Sequence, residues 1–150
     1  MSHREHGMTL LELAVVGAVV AILASIAVPS YRSYVLRANR AEGRAALLAL
    51  ATAQEKFYLQ CNNYAATLEP GSAADCDAGN LQFPTSSERG YYAITVTAAD
   101  ETGWTAKAEP AGDSPQINDE KCQWFELTST GAKSARTSAG ILNNGECWGK

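Results

Sequence analysis

A chain of 150 residues with a formal net charge of −4 has room for one folded domain and an extension, and not for two full domains. The negative charge lies toward the carboxyl end, because the sequence from residue 54 onward has 13 acidic and 7 basic residues, a net charge of −6. A negatively charged domain repels the phosphate backbone, so no nucleic acid partner is expected.

Residues 1–7 are a short polar leader. The leader is too short for an ordinary secretory signal, and no small-residue cleavage site closes the apolar run that follows it. Processing is therefore expected before the apolar segment and not after it.

The segment from Met8 to Val28 is apolar except for one ionisable side chain, Glu12. Its length matches the roughly 20 residues that a helix needs to cross a bilayer. A carboxylate near the start of a membrane helix is costly and usually functional, and the ammonium group of a new amino terminus would be a suitable partner. The alternative is that Glu12 only snorkels to the lipid headgroups.

Residues from Thr9 to about Gln60 favour one long helix, which Pro29 divides into an apolar half (8–30) and an amphipathic half (31–60). Proline removes one backbone hydrogen bond and clashes with the preceding turn, so a helix break, as a kink or local melting, is expected at Pro29. Four arginines follow the proline and are interpreted as a solvated helix face with membrane headgroup contacts: Arg32, Arg37, Arg40 and Arg44.

Residues 61–150 have the composition of a water-soluble head. Cys61 to Pro84 is predicted to be a connecting loop. Alternating runs predict strands at Tyr91–Ala98, Trp104–Ala108 and Cys122–Thr128, with short turns between them. The fold class is therefore α+β, a long amino-terminal helix whose second half packs on an antiparallel sheet of about four strands.

All four cysteines lie in the head: Cys61, Cys76, Cys122 and Cys147. An even number behind an anchor favours disulfides in an oxidising compartment over metal ligands, and four cysteines allow three connectivities. The arginines after the apolar run would place that flank in the cytoplasm by the positive-inside rule. We follow the cysteines and place the head outside the cytoplasm.

Residues needed for the common catalytic sites are missing. The two histidines, His3 and His6, lie in the leader, and no phosphate-binding loop is present. Acidic pairs such as Asp119 and Glu120 fall in predicted turns and are interpreted as solvated surface. The tryptophans Trp104, Trp124 and Trp148 are assigned to the core or to subunit contacts rather than to a sugar platform. No enzyme activity, cofactor or metal is expected.

The run Gly7-Met8-Thr9-Leu10-Leu11-Glu12-Leu13 resembles the class III signal of type IV pilins and pseudopilins, with Met8 where that family usually has phenylalanine. The resemblance implies that a membrane aspartic peptidase cuts between Gly7 and Met8 and methylates the new amino terminus at Met8. It also implies that Glu12 is the docking residue during assembly.

Two further regions are similar to minor pilins of Gram-negative type IVa pili, especially the type lettered E. The first contains Pro29-Ser30-Tyr31 and Gln54-Glu55-Lys56-Phe57-Tyr58, and the second contains Cys122-x4-Leu127-Thr128 and Cys147-Trp148. Pairing Cys61 with Cys76 and Cys122 with Cys147 closes local loops and matches the disulfide-bounded tail of that group.

The resemblance implies a structural subunit, a minor pilin, held in the inner membrane with a periplasmic head and later carried in an extracellular pilus. The implied partners are other major and minor pilins, the prepilin peptidase, the inner-membrane assembly machinery and, before assembly, the membrane. The alternatives are a pseudopilin of a type II secretion system and a membrane-anchored binding protein that does not assemble. A DNA-uptake receptor is disfavoured by the acidic head.

Overall fold

The structure is a computed structural model that describes residues 9–149. Helix α1 spans Leu10–Cys61, 52 residues, and has a length of about 78 Å at about 1.5 Å per residue. The long amino-terminal helix expected from the sequence is therefore present. The predicted leader (1–7) and the predicted cleavage and methylation site at Gly7 and Met8 lie outside the described residues.

Helix α1 is continuous through Pro29, so the local melting that was one form of the predicted helix break is absent, and a kink at Pro29 stays a prediction. Proline removes a single hydrogen bond, and the intact bonds before and after it carry the helix through. The Ser33 hydroxyl donates a hydrogen bond to the Pro29 carbonyl oxygen at 3.0 Å. In a long apolar segment, one missing bond costs less than exposing a whole unwound turn of backbone.

The chain divides into two compact units, Met1–Val35 and Leu36–Lys150. In the second unit, the loop after α1 holds a small parallel pair of strands, β1 (Thr67–Leu68) and β2 (Asn80–Leu81), which the sequence did not predict. The buried amide of Gln54 fastens this loop to the helix. It donates to the Ala65 carbonyl at 2.8 Å and accepts from the Ala65 N–H at 2.9 Å.

The main sheet has four antiparallel strands in the order β3 (Tyr92–Ala99), β4 (Trp104–Pro110), β5 (Trp124–Thr128) and β6 (Lys133–Arg136). The first two strands lie within two residues of the predicted bounds. The third begins at Trp124 and not at the predicted Cys122, because the Cys122 N–H donates to the Asp119 carboxylate at 3.3 Å instead of joining the ladder.

Two short helices complete the second unit: a 3-10 helix at Pro115–Asn118 and α2 at Asn144–Cys147. The side chain of Asn144 covers the free edge of β6. It accepts from the Ala135 N–H at 2.7 Å and donates to the Lys133 carbonyl at 3.2 Å, in place of a neighbouring strand. An uncovered edge strand would be a template for unwanted pairing.

The core lies between the second half of α1 and one face of the sheet. The helix contributes Leu47, Leu50 and Phe57, which lie in the predicted amphipathic half. The rings of Tyr92 and Phe125 meet edge to face at 5.7 Å, and Trp148 meets Phe125 at the same separation. Trp104 is buried in the core, which is one of the two roles that the sequence indicated for the tryptophans.

Candidate functional site

The first unit carries a long exposed apolar helix segment. Its large apolar side chains range from 49% exposed at Val28 to 87% at Leu10. The most hydrophobic 18-residue window has a mean hydropathy of 2.5, and none of it is buried. By length and composition this helix is able to cross a membrane. An apolar surface of this size marks a contact with lipid or with protein.

Small residues recur along this segment at Gly17, Ala21 and Ser25, four positions apart and therefore on one side of the helix. A Cβ atom added at Gly17 would meet nothing within 4 Å. The Ser25 hydroxyl is satisfied within the helix, since it donates to the Ile22 carbonyl at 2.7 Å. Such a face allows another helix to approach closely.

Glu12, the predicted docking residue, is exposed in the first turn of α1. Its backbone N–H donates to the Thr9 hydroxyl at 3.2 Å, so Thr9 caps the helix. Thr9-x-x-Glu12 is the pattern of a capping box, and the carboxylate lies near the positive end of the helix dipole. This cap was not predicted, although the spacing of the two residues was the signal for it.

In the second unit, a buried ion pair connects α1 to the region between β4 and β5. Arg40 donates to Asp119 from Nε at 2.7 Å and from a terminal nitrogen at 2.8 Å. The side chains are only 6% and 3% exposed, and Glu146 lies 3.8 Å from the guanidinium. Burial opposes the charge of Arg40, but the hydrogen bonds and charge of Asp119 outweigh burial and raise the pKa of the guanidinium.

Two interpretations of the sequence are corrected by this ion pair. Arg40 was assigned to a solvated helix face and Asp119 to a solvated turn, yet both are buried. A buried charge is tolerated when an opposite charge and further hydrogen bonds accompany it. Arg44 is also engaged, since it donates to the Trp148 carbonyl at 3.0 Å. By the positive-inside rule, the four arginines would place their flank in the cytoplasm. Two of them, Arg40 and Arg44, are instead bonded to residues of the head.

Gln116 forms a second buried contact to the helix. Its amide nitrogen donates to the Tyr92 hydroxyl at 2.8 Å and to the Leu36 carbonyl at 3.2 Å, and its oxygen accepts from Asn39 at 3.1 Å. Burial raises the pKa of Tyr92 to about 12. Every polar atom of the Gln116 amide therefore has a partner, which a fully buried amide requires.

Gly43 lets the ring of Tyr92 lie directly against the helix. A Cβ atom at position 43 would meet three ring atoms at 3.0–3.1 Å, a separation at which the ring has to shift. Four residues of α1 that contact the rest of the second unit share one side of the helix: Asn39, Arg40, Gly43 and Arg44. We call this set the clasp. It was not predicted.

The structure joins Cys61 to Cys76 and Cys122 to Cys147, the same pairs that the resemblance implied. The paired Cα atoms are 5.2 and 5.6 Å apart. Cys122 and Cys147 are buried, whereas Cys76 is exposed. The second disulfide therefore closes the region that the clasp holds.

On the solvent side of the sheet, Trp124 lies between two cations. The Lys107 ammonium is 4.3 Å from the centre of the Trp124 ring, and the Arg136 guanidinium is 5.4 Å from it. Lys107 also forms an ion pair with Glu109 at 2.7 Å. Trp124 is thus a cation-contacting surface residue and not a core residue.

Comparison with known proteins gives a family and a fold. A family model described as "Type IV minor pilin ComP, DNA uptake sequence receptor" matches residues 29–126. A selenomethionine crystal structure of the non-core minor pilin PilV of Neisseria meningitidis superposes with a TM-score of 0.51, at 20% identity, over 71% of this chain and 91% of that one. The predicted α+β fold, a long helix with a four-stranded antiparallel sheet, is confirmed.

Two curated proteins are similar in sequence. The type IV major pilin protein PilA of Myxococcus xanthus is 39% identical over 61 residues, which are 41% of this chain and 28% of that protein. The type IV major pilin protein PilE1 of Neisseria gonorrhoeae is 28% identical over 132 residues, 88% of this chain and 57% of that protein. The matches therefore span less than two thirds of either relative.

Proposed function

Because the chain belongs to the type IV minor pilin ComP family, we propose that it is a structural subunit of a type IV pilus and catalyses no reaction. Before assembly the subunit is anchored in the inner membrane with its head in the periplasm. It then joins the extracellular filament through its amino-terminal helix. Its partners are other major and minor pilins, the prepilin peptidase and the inner-membrane assembly machinery.

The observation that carries this proposal is the exposed apolar segment of α1, whose 18-residue window is entirely unburied while the second unit has a closed core of its own. In the membrane, lipid covers that segment. Outside the membrane, neighbouring helices have to cover it, at about 25 cal/mol for each Å² of apolar surface removed from water. The side with Gly17, Ala21 and Ser25 supports close packing of such helices.

Processing comes first in the proposed sequence of events. The peptidase cuts between Gly7 and Met8 and methylates the Met8 amino group. Cleavage leaves Thr9 and the first turn of α1 at the new amino terminus. The Thr9 cap holds that turn in helical form next to the new ammonium group.

Glu12 then selects the position at which an incoming subunit docks. Its carboxylate pairs with the Met8 ammonium of a neighbouring subunit only when the two helices have the correct axial stagger. Removing one member of a buried ion pair costs about 3–5 kcal/mol, because the other charge stays uncompensated. A subunit without the carboxylate would therefore dock poorly while remaining stable in the membrane.

The experiment compares Glu12→Ala with wild type for three quantities: leader cleavage, the amount in the inner membrane and the amount in sheared pili. Cleavage and membrane amounts are expected to be normal, and the pilus fraction is expected to fall. The matched control is Glu101→Ala, which removes an exposed carboxylate from the turn between β3 and β4. If Glu12→Ala enters pili in the same amount as wild type, Glu12 is not the docking residue, and the snorkelling interpretation applies instead.

Gene deletion separates this proposal from the two other anchored functions. A pilus subunit is expected to be needed for surface pili, whereas a pseudopilin of a type II secretion system is needed for secreted enzymes. Mass spectrometry of the mature chain adds a second criterion. A chain that begins at methylated Met8 supports assembly, and a chain that still carries His6 supports a binding protein that does not assemble.

A second candidate function is that of a DNA-uptake receptor, since the matching family is that of the DNA uptake sequence receptor ComP. The two cations beside Trp124, Lys107 and Arg136, favour it, since cations attract the phosphates of DNA. The net charge of −6 from residue 54 onward opposes it. The expectation of no nucleic acid partner therefore stays a prediction.

Fluorescence anisotropy with labelled double-stranded DNA at low and raised salt tests this second function. Binding that falls steeply with salt and is lost in Lys107→Gln/Arg136→Gln would support a DNA receptor. If the variant and wild type bind DNA equally weakly, the DNA-receptor function is rejected and the pilus-subunit function remains.

A further inference from the structure

We propose that Tyr31, Arg32 and Tyr34 form a collar that binds the lipid headgroup layer on the periplasmic side of the membrane and sets the depth of α1 before extraction. The inference rests on the proposed membrane-anchored stage of the subunit. It adds a lipid-contact site on a segment that follows the apolar run and precedes the second compact unit, which begins at Leu36.

The axial spacing along α1 matches the layers of a bilayer. The hydrocarbon core is about 30 Å thick, and each headgroup layer adds about 5–8 Å. With Leu10 at the inner boundary of the hydrocarbon, Tyr31 and Tyr34 lie about 2 and about 6 Å beyond its outer boundary, at about 1.5 Å per residue. Arg32 lies between them, at about 3 Å. All three positions therefore fall within one headgroup layer.

The side chains have the chemistry that this layer selects. Tyr31 and Tyr34 are 69% and 65% exposed, and their spacing of three places both rings on one side of the helix. A tyrosine ring with an apolar body and a polar tip prefers the boundary between hydrocarbon and water. The exposed Arg32 carries the positive charge that complements lipid phosphates, and it can do so bidentately.

The collar and Glu12 lie at opposite ends of the apolar segment, and together they oppose movement of α1 along the membrane normal. Glu12 lies about 3 Å inside the inner boundary in the same register, at about 1.5 Å per residue, so its carboxylate is close to the cytoplasmic headgroups. Moving α1 toward the cytoplasm would pull both tyrosines and Arg32 into hydrocarbon. Moving α1 toward the periplasm would pull Glu12 in. The two ends together define one favoured depth.

Depth-dependent quenching of tryptophan fluorescence tests the collar in the full-length chain. Tyr31→Trp and Tyr34→Trp are reconstituted in vesicles of phosphatidylethanolamine and phosphatidylglycerol. The vesicles contain lipids brominated either near the headgroup or near the end of the acyl chain. The signal of the wild type, with its three head tryptophans, is subtracted. The two matched controls are Val20→Trp, in the middle of the apolar run, and Leu59→Trp, an 85% exposed position of the second unit.

The collar predicts that quenching of the Tyr31→Trp and Tyr34→Trp variants is at least about twofold stronger with shallow than with deep bromines, in keeping with the interfacial preference of aromatic rings. Val20→Trp should show the opposite order, and Leu59→Trp should show no quenching. Adding Arg32→Gln to Tyr34→Trp should shift the quenching toward deep bromines. If Arg32→Gln leaves the ratio of shallow to deep quenching unchanged, Arg32 does not contribute to the collar.

The controls separate failure of the collar from failure of the proposed function. If Val20→Trp is quenched from deep bromines while Tyr34→Trp is not quenched, or is quenched from the same depth as Val20→Trp, the helix spans the membrane but the collar is overturned. The exposed tyrosines would then serve contacts with neighbouring helices. If Val20→Trp is not quenched at all, the helix does not insert, and the membrane-anchored stage fails with the collar.

Discussion

Arg40 and Asp119 lie 79 positions apart in the sequence and are joined by two parallel hydrogen bonds of 2.7 and 2.8 Å. Both side chains are almost fully removed from solvent. The bond connects the middle of α1 to the residue that also accepts the Cys122 N–H. One carboxylate thus links the helix to the start of the disulfide-closed region.

Arg40→Met is expected to lower the free energy of unfolding of the second unit by about 3–5 kcal/mol, because the Asp119 carboxylate would stay buried without its partner. Denaturant unfolding of the detergent-solubilised chain, followed by tryptophan fluorescence, measures this change. The double variant Arg40→Met/Asp119→Leu should recover much of the loss, since it removes both charges. Glu109→Gln, in the exposed pair with Lys107, should cost at most about 1 kcal/mol. Equal effects of Arg40→Met and Glu109→Gln on the free energy of unfolding would contradict a stabilising role for the Arg40–Asp119 ion pair.

Gly43→Ala and Gly17→Ala are expected to act in opposite directions. At position 43 the new methyl group would press on the Tyr92 ring, and overpacking of this kind costs about 1–3 kcal/mol. At position 17 the methyl group meets no neighbour, and alanine favours a helix over glycine by about 0.5–1 kcal/mol. Thermal unfolding monitored by circular dichroism distinguishes the two. A neutral Gly43→Ala would mean that the Tyr92 ring moves aside freely.

The buried Tyr92 predicts a loss of stability at high pH. Its pKa is about 12 in the folded protein and about 10 in the unfolded chain, so the unfolded state releases its proton first. The stabilisation is complete below about pH 10 and is lost as the pH rises to about 12, with a total of about 2–3 kcal/mol. The difference in unfolding free energy between wild type and Tyr92→Phe, measured across this range, should shrink by that amount. A constant difference would rule out Tyr92 as the titrating group.

The two disulfides should differ in their reaction with reductant. Cys76 is exposed, whereas Cys122 and Cys147 are buried, so dithiothreitol should open the Cys61–Cys76 bond first under native conditions. Differential alkylation followed by peptide mass spectrometry identifies the opened pair. Removing either disulfide by double serine substitution should cost about 3 kcal/mol in the chain-entropy model. Reduction of Cys122–Cys147 before Cys61–Cys76 would show that the clasp region opens more easily than its burial indicates.

Much of the fold was predictable because it depends on local patterns. The apolar run after residue 7 and the helix formers up to Gln60 predict one long helix, and alternation predicts the first two strands of the main sheet within two residues. The Asn144 cover on β6, the Gln54 link to Ala65 and the β1–β2 pair were not predicted. Each depends on which distant backbone groups are left without a partner once the chain has packed.

The sequence by itself determined the helix-and-sheet division, the exposed apolar segment and the family signal from Gly7 to Leu13, since each is written in neighbouring residues. Only the tertiary structure decided which charged residues are buried. Arg40 and Arg37 are indistinguishable by type and local context, yet Arg40 faces Asp119 across the packed head. The helix likewise continues through Pro29, where one lost hydrogen bond is outweighed by the intact turns around it. Such outcomes depend on three-dimensional proximity and on summed free energies, which no local pattern records.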